Sequence, residues 1–144
     1  MRTSPLHVLW IEDSSDDVEL FSMALKRTEV KIHLEVKVDG QEGIDHLMAL
    51  APDSGAQPDL ILLDLNLPKR HGSEVLAEIK NSESLRLIPV VVLTTSNFEP
   101  DIVKCYHLGA ACYLVKPDQY ENLVNLIKKI FAFWQEVELR PRTR

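Results

Sequence analysis

Short apolar runs alternate with amphipathic segments along the chain. Four of the runs are almost continuously apolar, which is typical of parallel strands covered on both faces; they lie at residues 6–11, 60–63, 90–93 and 112–115. A fifth segment, residues 33–38 (HLEVKV), alternates apolar and polar positions instead. This alternation predicts a strand nearer the edge of the same sheet.

Helical periodicity fills the intervals between these runs. Apolar residues recur there at spacings of three and four, and Ser14 and Ser15 are candidate caps for the first helix. The apolar residues that predict four of the helices are Val18, Phe21 and Leu25; Ile44, Leu47 and Met48; Val75, Leu76 and Ile79; and Ile102, Val103 and Tyr106. The order of strand and helix, repeated five times, predicts an α/β fold: a five-stranded parallel sheet, doubly wound as in flavodoxin-like folds, with helices on both faces.

The last helix carries more apolar surface than one packing stripe needs. Asp118 and Glu121 predict a capping box at its start, and it should run to about Val137. One stripe consists of Tyr120, Leu123, Val124, Ile127, Phe131 and Trp134, and an adjoining one of Leu126, Ile130, Phe133 and Val137. Either the helix is deeply seated, or the second stripe packs against another subunit, which the width of the apolar surface favours. We therefore expect a homodimer formed through the last helix and the neighbouring fourth helix and fifth strand.

Length and charge narrow the class of protein. The 144 residues suit a single domain (1–144) with a core at about 5–136 and a short basic tail, RPRTR, which is expected to be solvated. With 16 basic and 22 acidic residues the net charge is −6, which disfavours binding to nucleic acid. No stretch reads as a membrane span or a signal peptide. The two cysteines, Cys105 and Cys112, lack a CxxC partner and are expected to be reduced thiols of a cytoplasmic protein.

Polar and charged residues follow the ends of four predicted strands. In open α/β sheets the ligand lies beyond the carboxyl ends of the strands, so Glu12, Asp13, Asp64, Thr94 and Lys116 should share one rim. Three carboxylates there would repel one another unless a cation joined them, and their oxygens suit Mg²⁺. The lysine and the threonine hydroxyl would complete a cradle for a phosphoryl group. Asp64, preceded by the apolar residues of the middle strand, is the candidate nucleophile that forms an aspartyl phosphate.

The segments around these residues resemble the response-regulator receiver domains, the CheY-like family. They are VLWIEDSSDD, DLILLDLNLPKRHG, IPVVVLTTS and GAACYLVKP, and the resemblance covers roughly residues 5–136. It implies that Asp64 receives a phosphoryl group from the phosphohistidine of a histidine kinase. The resemblance further implies that Mg²⁺ is held by Glu12, Asp13, Asp64 and the backbone carbonyl of Asn66. It implies that Thr94 donates a hydrogen bond to the phosphoryl group and that Lys116 pairs with that group. It also implies a rotating aromatic switch at Tyr113 and a cis peptide between Lys116 and Pro117.

A narrower likeness is to the small cyanobacterial phytochrome-associated response regulators. It rests on DLILLDLNLPK, EVLAEIK, PVVVLTTS and the late pair Phe133 and Trp134. It implies that the partner is a phytochrome-type histidine kinase.

Three positions depart from the commonest receiver pattern. His71 stands before Gly72, where an aspartate or asparagine is frequent, so the side-chain bond of this turn is not predicted. Thr95 is larger than the small residue usual after the switch threonine and is expected to narrow access for phosphodonors and water, and Glu12 is a common replacement of aspartate that should still serve the cation.

The acids that open the first helix have a simpler interpretation. Asp16, Asp17 and Glu19 lie in or next to its first turn. Negative side chains are favoured there by the helix dipole. We therefore assign them no role at the rim from the sequence.

Three alternatives stand beside a signalling switch that catalyses only its own phosphotransfer and dephosphorylation. A Mg²⁺-dependent phosphatase or phosphotransferase that uses an aspartyl phosphate usually carries its nucleophile after the first strand in a DxDx[TV]-like run, and IEDSSDD lacks that order. A flavin-binding domain of this topology would need a phosphate loop rich in Ser, Thr and Gly after the first strand. A receiver-like module that only binds partners would not need the full set of site residues. We therefore interpret the chain as a switch, not an enzyme, that signals by contacts with other proteins.

Overall fold

Five strands and five helices alternate in the computed structural model, which describes residues 4–50 and 55–140. In chain order they are β1 (Leu6–Ile11), α1 (Ser15–Thr28), β2 (Ile32–Lys37), α2 (Gly40–Met48), β3 (Leu60–Leu63), α3 (Gly72–Asn81), β4 (Val90–Thr94), α4 (Glu99–Leu108), β5 (Cys112–Val115) and α5 (Tyr120–Glu136). All strand pairs are parallel, in the order β2-β1-β3-β4-β5. The predicted five-stranded parallel sheet is confirmed.

Two apolar layers cover the sheet, one on each face. α2, α3 and α4 pack on one face, and α1 and α5 pack on the other. β1 serves both layers because its side chains alternate: Leu9 and Ile11 lie in the first layer, Val8 and Trp10 in the second. β3 and β4 are buried throughout, as their continuous apolar runs predict.

The two outer strands are less buried than the central ones. β2 alternates and lies at one edge, as predicted. β5 is less buried than its continuous apolar run predicts, although its side chains do pack against both layers. The reason is its place at the other edge of the sheet, where only β4 adjoins it.

The starts of the first and last helices follow different rules. Ser14 caps α1 as predicted, since its hydroxyl accepts a hydrogen bond from the Asp17 N–H at 3.2 Å. The capping box predicted from Asp118 and Glu121 is wrong, because α5 begins two residues after Asp118 and its start has no side-chain cap bond. Glu121 instead pairs with Arg27 of α1 at 2.5 Å, which joins the two helices on their shared face of the sheet.

The helix predicted from Ile102, Val103 and Tyr106 is confirmed as α4, but this apolar pattern does not mark the buried side of the helix. Cys105 is the buried residue of this helix, whereas Val103 and Tyr106 are 48% and 50% exposed. The apolar residues of α4 are spread around its circumference, so packing the row that contains Cys105 leaves the other two outside. On α2, Met48 is exposed while Ile44 and Leu47 of the same pattern are buried.

α5 buries most of its first apolar stripe and part of its second against the sheet. Four residues of its first stripe are buried, and so is Ile130 of the second stripe; the four are Val124, Ile127, Phe131 and Trp134. Phe133 remains 61% exposed and packs edge-on against the ring of Trp134. The apolar surface that α5 leaves exposed is therefore smaller than two full stripes.

The chain beyond α5 turns back towards the loop before β3. Arg140 donates hydrogen bonds to the carbonyl oxygen of Pro58 and to the side-chain oxygen of Gln57, both at 3.3 Å. The prediction of a solvated tail is thus wrong for its first arginine, because the guanidinium offers several donors to acceptors within reach. Residues 141–144, the rest of that tail, lie outside the described residues. Within the described ranges, no helix combines the length and the apolar character that crossing a membrane requires.

Candidate functional site

The carboxyl ends of β1, β3, β4 and β5 bring the predicted site residues together at one rim. Three backbone hydrogen bonds fix the strand ends there: from the Asp64 N–H to the Ile11 carbonyl at 3.1 Å, from the Glu12 N–H to the Lys37 carbonyl at 2.9 Å, and from the Lys116 N–H to the Thr94 carbonyl at 2.7 Å. Because the strands are parallel, side chains far apart in sequence meet at this rim.

Three carboxylates form the acidic part of the site. One oxygen each from Glu12, Asp13 and Asp64 lies within 4.8 Å of the others. Glu12 and Asp64 are buried and Asp13 is exposed, so the cluster is open on one side only. Hard oxygen donors that converge in this way fit a divalent cation, which would offset their mutual repulsion. Asn66 follows in the turn after β3, and the role of its carbonyl stays a prediction.

Lys116 reaches into this acidic group from the end of β5. Its ammonium donates hydrogen bonds to Glu12 at 2.5 Å and to Asp17 at 2.8 Å. It lies 3.8 Å from the nearer oxygen of Asp64, which is an ion pair but not a hydrogen bond. Asp17 is a member of the site that the sequence did not reveal, because an acid in a first helical turn is already explained by the helix dipole.

Burial and charge shift the proton affinities of this group. Burial, with a further contribution from the charge of Asp64, raises the pKa of Glu12 to about 7 although Lys116 opposes the shift. Burial alone would lower the pKa of Lys116, but the hydrogen bonds to Asp17 and Glu12 outweigh it and raise that pKa. A cation that binds Glu12 must therefore compete with a proton near neutral pH, and its affinity should rise as the pH rises through about 7.

The turn after β3 fixes the orientation of Asp64. The Leu65 N–H donates a hydrogen bond to one carboxylate oxygen of Asp64 at 2.8 Å. The Gly72 N–H donates to the Leu65 carbonyl at 2.9 Å, which folds the start of α3 back onto the turn. A Cβ at position 72 would lie 2.2 Å from the Asp64 carbonyl oxygen and 2.6 Å from the Leu65 Cα. Only glycine permits this close approach of two backbone segments.

Gly72→Ala should therefore cost about 2–3 kcal/mol of unfolding free energy, since the clash is with backbone atoms that cannot rotate away. Urea unfolding followed by circular dichroism measures this loss. Gly55→Ala is the control: its Cβ would meet nothing within 4 Å, and its positive φ alone should cost about 1 kcal/mol. Equal stability of Gly72→Ala and the unsubstituted protein would contradict the close approach.

His71 replaces the usual aspartate or asparagine without loss of the cap. Its Nδ1 accepts a hydrogen bond from the Ser73 N–H at 3.1 Å. The side chain of Glu74 accepts a second hydrogen bond, from the His71 N–H, also at 3.1 Å. The two bonds form a capping box at the start of α3, so this departure from the family pattern leaves the turn intact.

Thr94 and Tyr113 lie on the side of the site that faces α4. The side chain of Thr94 is buried at the end of β4. The Tyr113 hydroxyl donates to the carbonyl of Ser96 at 2.8 Å, just before α4. The Tyr113 N–H donates to the hydroxyl of Tyr106 at 3.1 Å, near the end of α4. One residue of β5 thus contacts α4 itself and the loop that leads into it. The sequence did not predict the contact with Tyr106, and a rotation of Tyr113 stays a prediction.

The peptide bond between Lys116 and Pro117 is trans, so the expected cis bond is wrong. An X–Pro bond prefers trans by about 0.5–1 kcal/mol on its own. In the trans form, Lys116 already satisfies its backbone N–H at Thr94 and its ammonium at Glu12 and Asp17. No contact of this residue therefore requires the cis form.

The chain is similar to known proteins over nearly its whole length. The family model described as "Response regulator receiver domain" matches residues 8–128. The response regulator Rcp1 of Synechocystis is 41% identical over 138 residues, which is 95% of this chain and 94% of that protein.

Two solved structures extend the similarity to the fold. The phosphorylated cyanobacterial phytochrome response regulator RcpA superposes with a TM-score of 0.86 at 38% identity, covering 96% of this chain and 100% of that one. The Mn²⁺-bound form of Rcp1 superposes with a TM-score of 0.83 at 41% identity, covering 95% and 100%. The chain therefore belongs to the family of response regulator receiver domains, and within it is related to the phytochrome-associated regulators Rcp1 and RcpA.

Proposed function

We propose that this protein is an aspartate-phosphorylated switch of a two-component pathway, with Asp64 as the phosphoacceptor. The observation that carries the proposal is the convergence of Asp64, two further carboxylates and one lysine on a single rim. One oxygen of Asp64 is already held by the Leu65 N–H. The other oxygen, which faces Lys116, is the nucleophile of the proposed reaction.

The proposed reaction transfers a phosphoryl group from a phosphohistidine. An oxygen of Asp64 forms a bond to phosphorus, the phosphorus–nitrogen bond breaks, and the electron pair of that bond leaves with the imidazole. Lys116 then pairs with one phosphoryl oxygen, and the hydroxyl of Thr94 donates a hydrogen bond to another. Attack of water on the acyl phosphate returns Asp64 to its carboxylate, so the protein catalyses only its own phosphorylation and dephosphorylation.

The proposed cation is Mg²⁺, held by Glu12, Asp13, Asp64 and the carbonyl of Asn66. When bound, it would neutralise charge on the transferred phosphoryl group. Support comes from the three converging carboxylates and from the Mn²⁺-bound structure of Rcp1, a relative whose metal is also a hard divalent ion.

Membership of the receiver family implies a histidine kinase as partner. We infer that the kinase is of the phytochrome type, because the relatives include RcpA, whose structure is described as that of a phytochrome response regulator. We further propose a cytoplasmic single receiver domain, residues 1–144, whose output is contact with other proteins and involves neither nucleic acid nor membrane. A net charge of −6 supports the exclusion of nucleic acid.

We also propose a homodimer formed through α4, β5 and α5. Apolar side chains are exposed on each of these elements; they include Val103, Tyr106, Val115 and Phe133. Exposed apolar patches of this kind usually mark interfaces. Analytical ultracentrifugation at tens of micromolar, with and without phosphorylation, should show a dimer in at least one state. A monomer in both states would contradict the interface.

The phosphorylation itself is tested by incubating the protein with a phosphohistidine donor and Mg²⁺ and measuring the intact mass. We expect one phosphoryl adduct, which disappears when the cation is chelated. Absence of any adduct with several phosphorylated donor proteins would favour the module that only binds partners. A phosphatase is not favoured, because the nucleophile follows β3 and the family is one of signalling switches.

A further inference from the structure

Lys116 divides its hydrogen bonds between two acids, and neither of them is the proposed phosphoacceptor. The ammonium lies 2.5 Å from Glu12 and 2.8 Å from Asp17, but 3.8 Å from Asp64. An ammonium has three N–H donors, so only one remains for a phosphoryl group on Asp64 while both acids are bound, and the two acids fix the position of the ammonium.

The two acids differ in what a bound cation would do to them. Glu12 belongs to the carboxylate cluster that fits the cation, together with Asp13 and Asp64. Asp17 is not a member of that cluster; it lies in the first turn of α1, where its N–H is bound to the Ser14 hydroxyl. A cation would draw Glu12 away from the lysine and would leave Asp17 as the competing acceptor.

We propose that Asp17 is a positioning residue that withholds Lys116 from Asp64 and so disfavours the phosphorylated state. The inference rests on the proposed function, because it concerns the pairing of Lys116 with the phosphoryl group. Two effects of Asp17 have the same sign. It competes directly for the ammonium, and its negative charge repels the phosphoryl group, which adds negative charge at the rim.

The surroundings of Asp17 allow the lysine to leave. The side chain of Asp17 is 37% exposed, whereas that of Lys116 is 11% exposed. A cavity of about 50 Å³, lined by both residues and by Trp10, adjoins the pair, and this is room enough for a water molecule. Asp17 can therefore be hydrated when the ammonium turns to Asp64, so the exchange strands no buried charge.

Asp17→Asn tests the proposal, with Mg²⁺ and beryllium fluoride as the probe for the phosphorylated state. Asparagine keeps the size of the side chain and removes its charge, so beryllium fluoride should bind roughly three- to fivefold more tightly by titration calorimetry, the upper part of the range expected for a partly exposed charge pair. A merely structural role would weaken binding instead.

Asp16→Asn is the matched control. It removes the same charge from the neighbouring, exposed residue of the same helical turn, and the affinity should stay within about twofold of the original because a solvated charge is screened. In a Lys116→Ala background, Asp17→Asn should have lost most of its effect, which shows that it acts through the lysine.

Three results would overturn the proposal. Unchanged or weaker binding by a folded Asp17→Asn variant would do so, as would an equal gain in Asp16→Asn, or an undiminished gain without Lys116. If the unsubstituted protein binds no beryllium fluoride and accepts no phosphoryl group, the proposed function itself fails and this inference with it.

Discussion

Asp64→Asn should abolish the phosphoryl adduct, with a drop in yield of at least about a hundredfold, as expected for the loss of a nucleophile. The substitution removes the carboxylate oxygen that would bond to phosphorus. The side chain keeps its size and can still accept the hydrogen bond from the Leu65 N–H, which measures 2.8 Å. Intact mass after incubation with a phosphohistidine donor and Mg²⁺ measures the result.

Asp118→Asn is the control for this experiment, because it changes an exposed acid just after Lys116 and should leave the adduct intact. Melting curves of Asp64→Asn in the absence of metal should show little change in stability, since the substitution removes the repulsion from Glu12 together with the ion pair to Lys116. An adduct of normal yield in Asp64→Asn would place the phosphoryl group on another residue and remove Asp64 from the site.

Lys116→Ala should leave the protein folded but reduce the retained phosphoryl adduct roughly tenfold, because the charged hydrogen bond to a phosphoryl oxygen is lost. Lys128→Ala, which removes an exposed lysine of α5, should have no such effect. The rate of adduct loss after removal of the donor distinguishes the two variants. Normal phosphorylation and normal signalling in Lys116→Ala would exclude the lysine from the mechanism.

The same substitution should also make stability more dependent on pH. The pKa of Glu12 in the folded protein is about 7, against a usual 4.5, so its stabilising contribution is complete below about pH 4.5 and is lost as the pH rises through about 7. Without the ammonium beside it, the buried carboxylate should ionise even less readily. Metal-free Lys116→Ala should therefore lose about 2 kcal/mol of unfolding free energy relative to the unsubstituted protein at pH 8, and less at pH 6, by urea unfolding.

Much of the site could be predicted from sequence because strand ends are readable. Continuous apolar runs that stop at an acid, a threonine or a lysine place these residues at one rim once the sheet is known to be parallel. That logic located Glu12, Asp13, Asp64 and Lys116, whose charged groups lie together in the structure. It also located Thr94, whose carbonyl accepts a hydrogen bond from the Lys116 N–H.

The sequence did not predict which partner certain side chains contact, or which side of a helix packs inward. The helix dipole alone accounts for an acid such as Asp17 in a first helical turn. The spacing of Asp17 in the sequence therefore gave no sign that Lys116 donates a hydrogen bond to it. The sequence did not predict the helix cap formed by His71, because the hydrogen bond is accepted by a ring nitrogen and not by a carboxylate. The exposure of Val103 depended on which row of α4 packs inward, and apolar residues occupy several rows.

The strand order assigns the two halves of the site different mechanical properties. Asp64 follows β3, which has β1 on one side and β4 on the other and is buried along its length. Lys116 and Tyr113 belong to β5 and its end, and this strand has a single neighbour. Displacing β3 would break its backbone hydrogen bonds to both β1 and β4, whereas displacing β5 would disturb only its hydrogen bonds to β4. The proposed phosphoacceptor therefore lies on a central strand that is hard to displace. Lys116 and Tyr113, which would respond to its phosphorylation, lie on or next to an edge strand that can move more easily.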